Sequence, residues 1–429
     1  MKLMMLGWEL PPYNSGGLGV ACYQMAKALA GKGVDIQFVL PYKARHEDSE
    51  KFMEVIAASN TPPLTNEKGE YVAMGAYSGT CPTCQSRECD HAREYGQGFV
   101  AATRKYADQV EKLFRRHKLN PDIIHAHDWL TMEAGVRAKE VSGRPLVVHV
   151  HATEFDRAGG HMGNPLIHEI EYNGLMAADR IFAVSQITKD IIVREYHIPE
   201  DKVEVVHNSL DPDELERTVI ETNNYIYAKE LRKHGWTVIA SIGRLTVQKG
   251  LTYLLESAAL ALSRNPKLLF LVSGTGEQRD QLIELAADLG ISDRVIFVGF
   301  VRGERWRELY EIADIFVMSS VSEPFGLTAL EAAHYDTALL ISRQSGVGEV
   351  LHNIMRFDYW DTRKLADQII NISLSASLKK ELMDGVKDEY LNFSWNDVAE
   401  KLSREYNRVM RGRRRAVHDN QLHREGVLA

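Results

Sequence analysis

Short apolar runs alternate with amphipathic stretches along most of the chain. In the first half the runs are Leu3–Gly7, Asp35–Leu40, Asp122–Ala126, Leu146–Val150, Arg180–Val184 and Val203–Val206. Between them, Val20–Ala30, Phe99–His117 and Met132–Val141 carry apolar residues at helical spacing. Near-continuous apolar strands separated by helices predict parallel sheets covered on both faces. The stretch Lys43–Gly98 breaks the pattern: it is polar and punctuated by Gly and Pro, and reads as an insertion with a strand or two, on the surface or over a cleft. Periodicity lapses again over the charged stretch Leu210–Gly235. It restarts with strand Thr237–Ile242, helix Leu251–Ser263, strand Leu268–Ser273, helix Arg279–Leu289, strands Arg294–Gly299 and Ile315–Ser319, and helix Thr328–His334. The expected organisation is therefore α/β: one unit over 1–209 with the insertion at 43–98, a linker over 210–236, a second unit over 237–395, and a final helix with a polar tail over 396–429.

A chain of 429 residues is too long for a single core and suits two domains. Hydrophobic content of 45% and charged content of 26% are ordinary for a globular protein. The formal net charge of −8 removes any global attraction to nucleic acid or anionic lipid, so either partner would need a local basic patch. Arg411–Arg415 and Lys112–Lys118 are the two basic runs, and they read as a solvated tail and a solvated helix face. No nucleic-acid partner is expected, and no membrane association. No segment approaches the roughly 18 apolar residues of a spanning helix. Met1–Leu6 is too short for a signal h-region and reads as a first buried strand. A cytoplasmic protein without disulfides is the expectation. Three of the four cysteines fall together as Cys81, Cys84 and Cys89, with His91 two positions on. A structural zinc site and a loop of incidental or redox-sensitive cysteines both remain open there.

Four segments carry the chemistry. In Ser322-Glu323-Pro324-Phe325-Gly326-Leu327-Thr328-Ala329-Leu330-Glu331 a strand ends, a Pro/Gly turn follows and a helix opens near Thr328. Free N–H groups and the positive helix end would suit a diphosphate. Glu323 in the turn can accept hydrogen bonds from sugar hydroxyls, and Glu331, in the first turn, from ribose hydroxyls. Taken alone, the two carboxylates read equally well as a capping and a surface residue. Gly243–Gly250 (GRLTVQKG) follows a strand, where loops face the binding crevice of a parallel sheet. Arg244 and Lys249 there would offset the charge of a leaving nucleoside diphosphate without a metal. Asn14–Gly19 (NSGGLG) places Gly16 and Gly17 where backbone can approach a donor closely. The fourth segment is histidine-rich: His125-Ala-His127-Asp128 ends one strand and His149-Val-His151 another. Strand alternation puts His149 and His151 on one face, with His151 nearer the reactive end. Zinc binding by His125, His127, His149 and His151 is a competing reading.

On these segments, with DIIHAHDW (Asp122–Trp129), HVHATEFDR (His149–Arg157) and VVHN (Val205–Asn208), the chain resembles family 4 of the glycosyltransferases, the retaining GT-B enzymes. Within that family it is similar to bacterial glycogen synthases. The resemblance implies a GT-B fold: two Rossmann-like domains whose parallel sheets face a central cleft, the donor on the C-terminal one, the acceptor mainly on the N-terminal one. It implies that the helix around Trp395–Met410 crosses back onto the first domain. By resemblance the Gly17 loop contacts phosphate, Asp128 lines the acceptor side and His151 touches the donor sugar. Arg244 and Lys249 stabilise the departing diphosphate. Glu323 and the amides of Phe325, Gly326 and Leu327 hold the sugar hydroxyls, and Glu331 holds the ribose. The implied ligands are a nucleotide sugar (ADP- or UDP-glucose) and a carbohydrate acceptor, with no metal or other cofactor. Asp211-Pro-Asp213 matches the metal-binding DxD of another class but lies in the linker. The first loop lacks the lysine that glycogen synthases commonly carry before Gly-Gly, and the chain is shorter than most of them, which weakens the case for polymer synthesis. Glucosyl transfer to an α-glucan or other sugar is the expected activity. Mannosyl or other hexosyl transfer to a lipid-linked or surface-polysaccharide intermediate, nucleotide-sugar epimerisation and a silent binding protein are the alternatives.

Overall fold

A computed structural model describes residues 1–14, 16–63, 90–117, 119–215 and 224–426. The first unit contains β1 (Lys2–Leu6), α1 (Gly17–Gly31), β2 (Asp35–Leu40), β3 (Glu54–Ala57), α2 (Asp90–His117), β4 (Ile123–His127), α3 (Trp129–Ser142), β5 (Leu146–Val150), α4 (Glu154–Arg157), α5 (Pro165–Ala177), β6 (Arg180–Ala183), α6 (Gln186–Glu195) and β7 (Val203–Val205). The second contains α7 (Ile226–Lys233), β8 (Thr237–Ile242), α8 (Leu251–Leu262), β9 (Leu268–Ser273), α9 (Arg279–Asp288), β10 (Val295–Gly299), α10 (Glu304–Ile312), β11 (Ile315–Met318), α11 (Leu327–His334), β12 (Ala338–Ser342), β13 (Met355–Phe357), α12 (Thr362–Leu374) and α13 (Ala376–Leu391); α14 (Trp395–Gly426) follows.

The strand orders are β3-β2-β1-β4-β5-β6-β7 and β10-β9-β8-β11-β12-β13, with every pairing parallel. Both are Rossmann-like. Central strands such as β4, β5, β9 and β12 are buried at every position, because helices cover both faces. Each order reverses direction between a first and a fourth strand: at β1/β4 in one sheet and at β8/β11 in the other. Ligands bind outside the carboxyl ends of strands at such a switch point. The four segments singled out from the sequence lie at or beside these two places.

The helix α14 packs on the first unit: Trp395, Val398, Ala399, Leu402 and Tyr406 join its core, and Lys32 pairs with Glu400 at 2.7 Å.

The structure departs from the sequence reading in several places. Within 43–98, β3 is no appendage but the edge strand of the first sheet, paired to β2, and α2 begins at Asp90 rather than Phe99. Strands β12 and β13 and helices α10, α12 and α13 were not read from the sequence. Helix α1 begins at Gly17, so Gly17–Gly19 form its first turn rather than a preceding loop. The candidate zinc ligands Cys81, Cys84 and Cys89 lie outside the described residues, as does the side chain of His91.

Candidate active site

In the second unit the loop after β8 is strapped to the loop after β9. Gly243 N–H donates to the Ser273 carbonyl at 3.0 Å and Leu245 N–H to that of Thr275 at 2.9 Å. Arg244 donates to Gln248 Oε1 at 3.1 Å. The turn Val247–Lys249 ends at Gly250, whose φ is +60°; a Cβ there would lie 2.2 Å from the Ser319 carbonyl oxygen. Glycine is needed for both reasons, and it lets this loop press against the end of β11. Gln248 Nε2 then donates to the Ser322 carbonyl at 3.0 Å, and Ser319 Oγ to that of Lys249 at 3.0 Å. The two strand-end loops thus form one assembly. Inside it the Lys249 ammonium pairs with the Glu323 carboxylate, which also accepts from Ser320 Oγ at 3.0 Å. A small cavity opens at this point, lined by Gly243, Arg244, Lys249, Ser320, Glu323 and Thr328.

The turn after β11 is fixed from the other side as well. Glu323 and Phe325 carbonyls accept from Gly346 N–H at 2.9 Å and Val347 N–H at 2.7 Å. Gly326 has φ +112° and precedes α11, which starts at Leu327 with no side-chain cap. The Ala329 N–H donates back to the Gly326 carbonyl at 3.0 Å, which leaves the N–H groups of Leu327 and Thr328 at the helix head with no intrahelical or capping side-chain acceptor. Glu331 lies in the second turn of α11, not the first. Its carboxylate accepts from the Tyr310 hydroxyl at 2.7 Å. Burial pushes the Glu331 carboxyl up to about 7, and the Tyr310 hydrogen bond pulls the other way.

In the first unit, Asp128 leaves β4 with φ +57° and is fully buried. One of its carboxylate oxygens accepts from the N–H groups of His151 at 2.6 Å and Ala152 at 3.2 Å. It therefore holds the turn that carries His151. The His151 ring stacks on His149 with centroids 4.5 Å apart, and its Nε2 lies 3.1 Å from His127 Nδ1. Burial lowers the pKa of His151, against an opposing pull from Asp128. A Cβ on Gly17 would come 3.3 Å from Leu327, so the first glycine turn abuts the head of α11.

Three further contacts close the seam between the units. Ser322 Oγ donates to Asp156 Oδ1 at 2.6 Å. Asp156 is the buried third residue of a capping box with Thr153. Burial raises its carboxyl, while bonds from Ser322 and Thr153 oppose the rise. Glu349 accepts from the N–H groups of Gln186 at 2.8 Å and Ile187 at 3.1 Å, at the head of α6, and lies 2.8 Å from His207 Nε2. Arg302 donates to the Asn14 carbonyl at 2.7 Å.

Residues 225–375 match the family described as Glycosyl transferases group 1, and residues 82–214 match Glycosyltransferase Family 4. A glycosyltransferase of Methanocaldococcus jannaschii is 29% identical over 420 residues, covering 96% of this chain and 99% of that one. The glycogen synthase of Mycobacterium tuberculosis is 26% identical over 363 residues, 82% of this chain and 80% of that one. The same fold occurs in an Anabaena protein solved with UDP and glucose, at TM-score 0.65, 17% identity, 95% of this chain and 99% of that one. The chain is a group 1 glycosyltransferase of the GT-B fold. Among the described residues, no helix of this glycosyltransferase is long and apolar enough to cross a membrane.

In this glycosyltransferase Arg244, Lys249, Glu323, Phe325, Gly326, Leu327 and Glu331 gather around the β8/β11 switch point, and Gly16, Gly17, Asp128 and His151 around that of β1/β4. Asp128, expected on the acceptor side, lies beneath the His151 turn with no exposed surface. Asp211 accepts from Lys27 at 3.2 Å and caps the short turn Pro212–Glu214. That is a structural role for the first carboxylate of the DxD-like triplet. Sequence reading missed Asp156, Glu349 and Tyr310. The HATEFDR capping pattern pointed to Asp156, and the helical spacing of Trp306, Leu309 and Tyr310 to Tyr310. Nothing local marked Glu349, whose partners are far away in sequence.

Proposed function

We propose that this glycosyltransferase moves a hexose, glucose first, from ADP- or UDP-glucose to an α-glucan or other sugar acceptor, with retention at the anomeric carbon. The observation that carries the proposal is the joined assembly of the β8 and β11 loops. It sets Arg244 and Lys249 beside Glu323 at the switch point, with the head of α11 next to them. A diphosphate there meets two cations and a row of N–H groups. A sugar hanging from it meets Glu323, whose carboxylate is neutralised by Lys249 and tied to Ser320. Such a carboxylate is suited to accept hydroxyl hydrogen bonds rather than to attack carbon. We therefore assign front-face transfer. The bond from the anomeric carbon to the phosphate oxygen breaks, the acceptor oxygen bonds to the same face, and its proton passes to the departing phosphate. Similar proteins support the donor class: a sequence relative is a glycogen synthase, and a protein of the same fold was solved with UDP and glucose. A donor-by-acceptor array with product configuration read by NMR tests the reading. An α-linked product from an α-configured donor is expected, and a β-linked product would overturn it.

Because the leaving group is held by side-chain cations in this proposal, EDTA-treated enzyme should keep its turnover. A folded but inactive protein, restored by Mg²⁺ or Mn²⁺, would reject that account.

Glu331 carries a further prediction. Ribose hydroxyls donating to its carboxylate favour the charged form, so binding lowers a pKa that stands at about 7 in the free protein. Nucleoside diphosphate affinity should rise as pH increases through that value and fall below it. Glu331→Ala should flatten the profile and raise the donor KM with a small change in kcat. Calorimetry across pH 5.5–8.5 checks this; an unaltered profile in the variant would remove the ribose role.

A further inference from the structure

One face of the first sheet carries four imidazoles side by side. His125 and His127 project from β4 and His149 from β5, with His127 directly opposite His149 in the register, and His151 stands just beyond. The ring centroids of His125, His127 and His149 lie 4.2, 5.5 and 5.7 Å apart, and none of the three is more than 1% exposed. Each has a neighbour on one side. The Tyr406 hydroxyl lies 2.9 Å from His125 Nδ1, His151 Nε2 lies 3.1 Å from His127 Nδ1, and the Val206 backbone faces His149 without completing a hydrogen bond of good geometry. The Nε2 atoms of all three have no hydrogen-bond partner among the described residues. Unpartnered nitrogens in a buried interior cost free energy unless something engages them, so three together call for a common ligand. A ligand nitrogen from each lies within 4.8 Å of the other two. Nitrogens about 2.0–2.1 Å from a shared tetrahedral ion stand roughly 3.4 Å apart, so small side-chain rotations close the set.

The geometry points to a buried site for one zinc-class divalent ion held by His125, His127 and His149, separate from donor chemistry. The Tyr406 hydroxyl suits it, since metal-bound imidazoles characteristically donate their second N–H to an oxygen acceptor, and it stands at the second nitrogen of His125. Neutral nitrogen ligands select Zn²⁺, Co²⁺ or Ni²⁺ over Mg²⁺ or Ca²⁺. Cys22, His127 and His151 form an overlapping set. A thiolate ligand from Cys22 would announce that set by an intense thiolate-to-metal band, which the three-histidine set lacks. An ion there ties β4 to β5 beside the switch point and, through Tyr406, to α14. It also leaves the His127 proton on Nδ1, aimed at His151.

The test uses the full chain, stripped of metal and titrated with Co²⁺. Wild type should take one ion with visible ligand-field bands and no intense thiolate-to-cobalt band, which sets this site apart from any cysteine site at Cys81, Cys84 and Cys89. His149→Leu and His125→Phe should each lose that signal, with folding checked by circular dichroism and by the thermal shift on adding UDP or ADP. His151→Asn should keep it. The proposal fails if folded wild type takes up no Co²⁺, as a water shared by the rings would give, or only thiolate-bound Co²⁺. It also fails if both ligand variants, or whichever one folds, keep the imidazole signal.

Discussion

Lys249→Ala is expected to lower turnover about 10²–10³-fold with donor saturating, the cost typical of one lost preorganised group at a developing anion. Charge builds on the diphosphate as the glycosidic bond breaks, so a cation fixed there stabilises the transition state more than the bound donor. Arg244→Ala should cost about as much, and the double variant less than the product of the two, because both serve one developing charge. The structure adds a complication that the experiment must separate. Lys249 also neutralises Glu323, which is only 8% exposed, so removing the ammonium leaves a poorly solvated carboxylate still held by the Ser320 hydroxyl. Adding Glu323→Gln to Lys249→Ala removes that stray charge. Because Glu323 itself is placed at the sugar, the baseline is the Glu323→Gln single variant: a double variant as active as that single one would make the lysine a structural counter-ion only, and a further large loss below it supports the role at the leaving group. Lys249→Arg should rescue in part at best, since a planar guanidinium cannot take the compact site of an ammonium. Near-wild-type turnover in folded Lys249→Ala would remove this loop from catalysis.

Gly274→Ala should be the most damaging small substitution for folding. Its φ of +140° is a region that side chains avoid, and a Cβ would lie 1.8 Å from the Gly243 carbonyl oxygen. Backbone cannot yield there without pulling the Gly243–Arg244 loop off the end of β9. A loss of about 3 kcal/mol or more is expected, since conformational strain of 1–3 kcal/mol is joined by a backbone clash. Gly290→Ala is the control: φ is +69°, with nothing within 4 Å of the added methyl, so only the conformational cost of about 1 kcal/mol applies. Urea midpoints compare the two. Equal losses would show that the Gly274 contact is not rigid.

The α/β alternation was legible because buried parallel strands are apolar at nearly every position: LVVHV and LLFLVS need no partner to announce themselves. The donor-side loops were legible because glycine, cations and carboxylates cluster within ten residues after a strand. Strand β3 and helices α10, α12 and α13 were less so. The strand is only four residues long with no fully buried position, and the helices' apolar stripes make sense only against a core that other segments provide.

Sequence by itself determined the two α/β units, the four segments at their strand ends and the family they resemble, since each depends on residues adjacent in the chain. Only the tertiary structure decided that Lys249 neutralises Glu323, that Asp128 is buried under the His151 turn, that Asp156 reaches across to Ser322, and that three histidines share unpartnered nitrogens. The three carboxylate pairings span 23 to 166 positions, and the histidines come from two different strands. Local propensity carries no information about such distances. They are set when parallel strands lie side by side and bring their carboxyl ends to one edge, where charge and hydrogen-bond geometry then choose the partners.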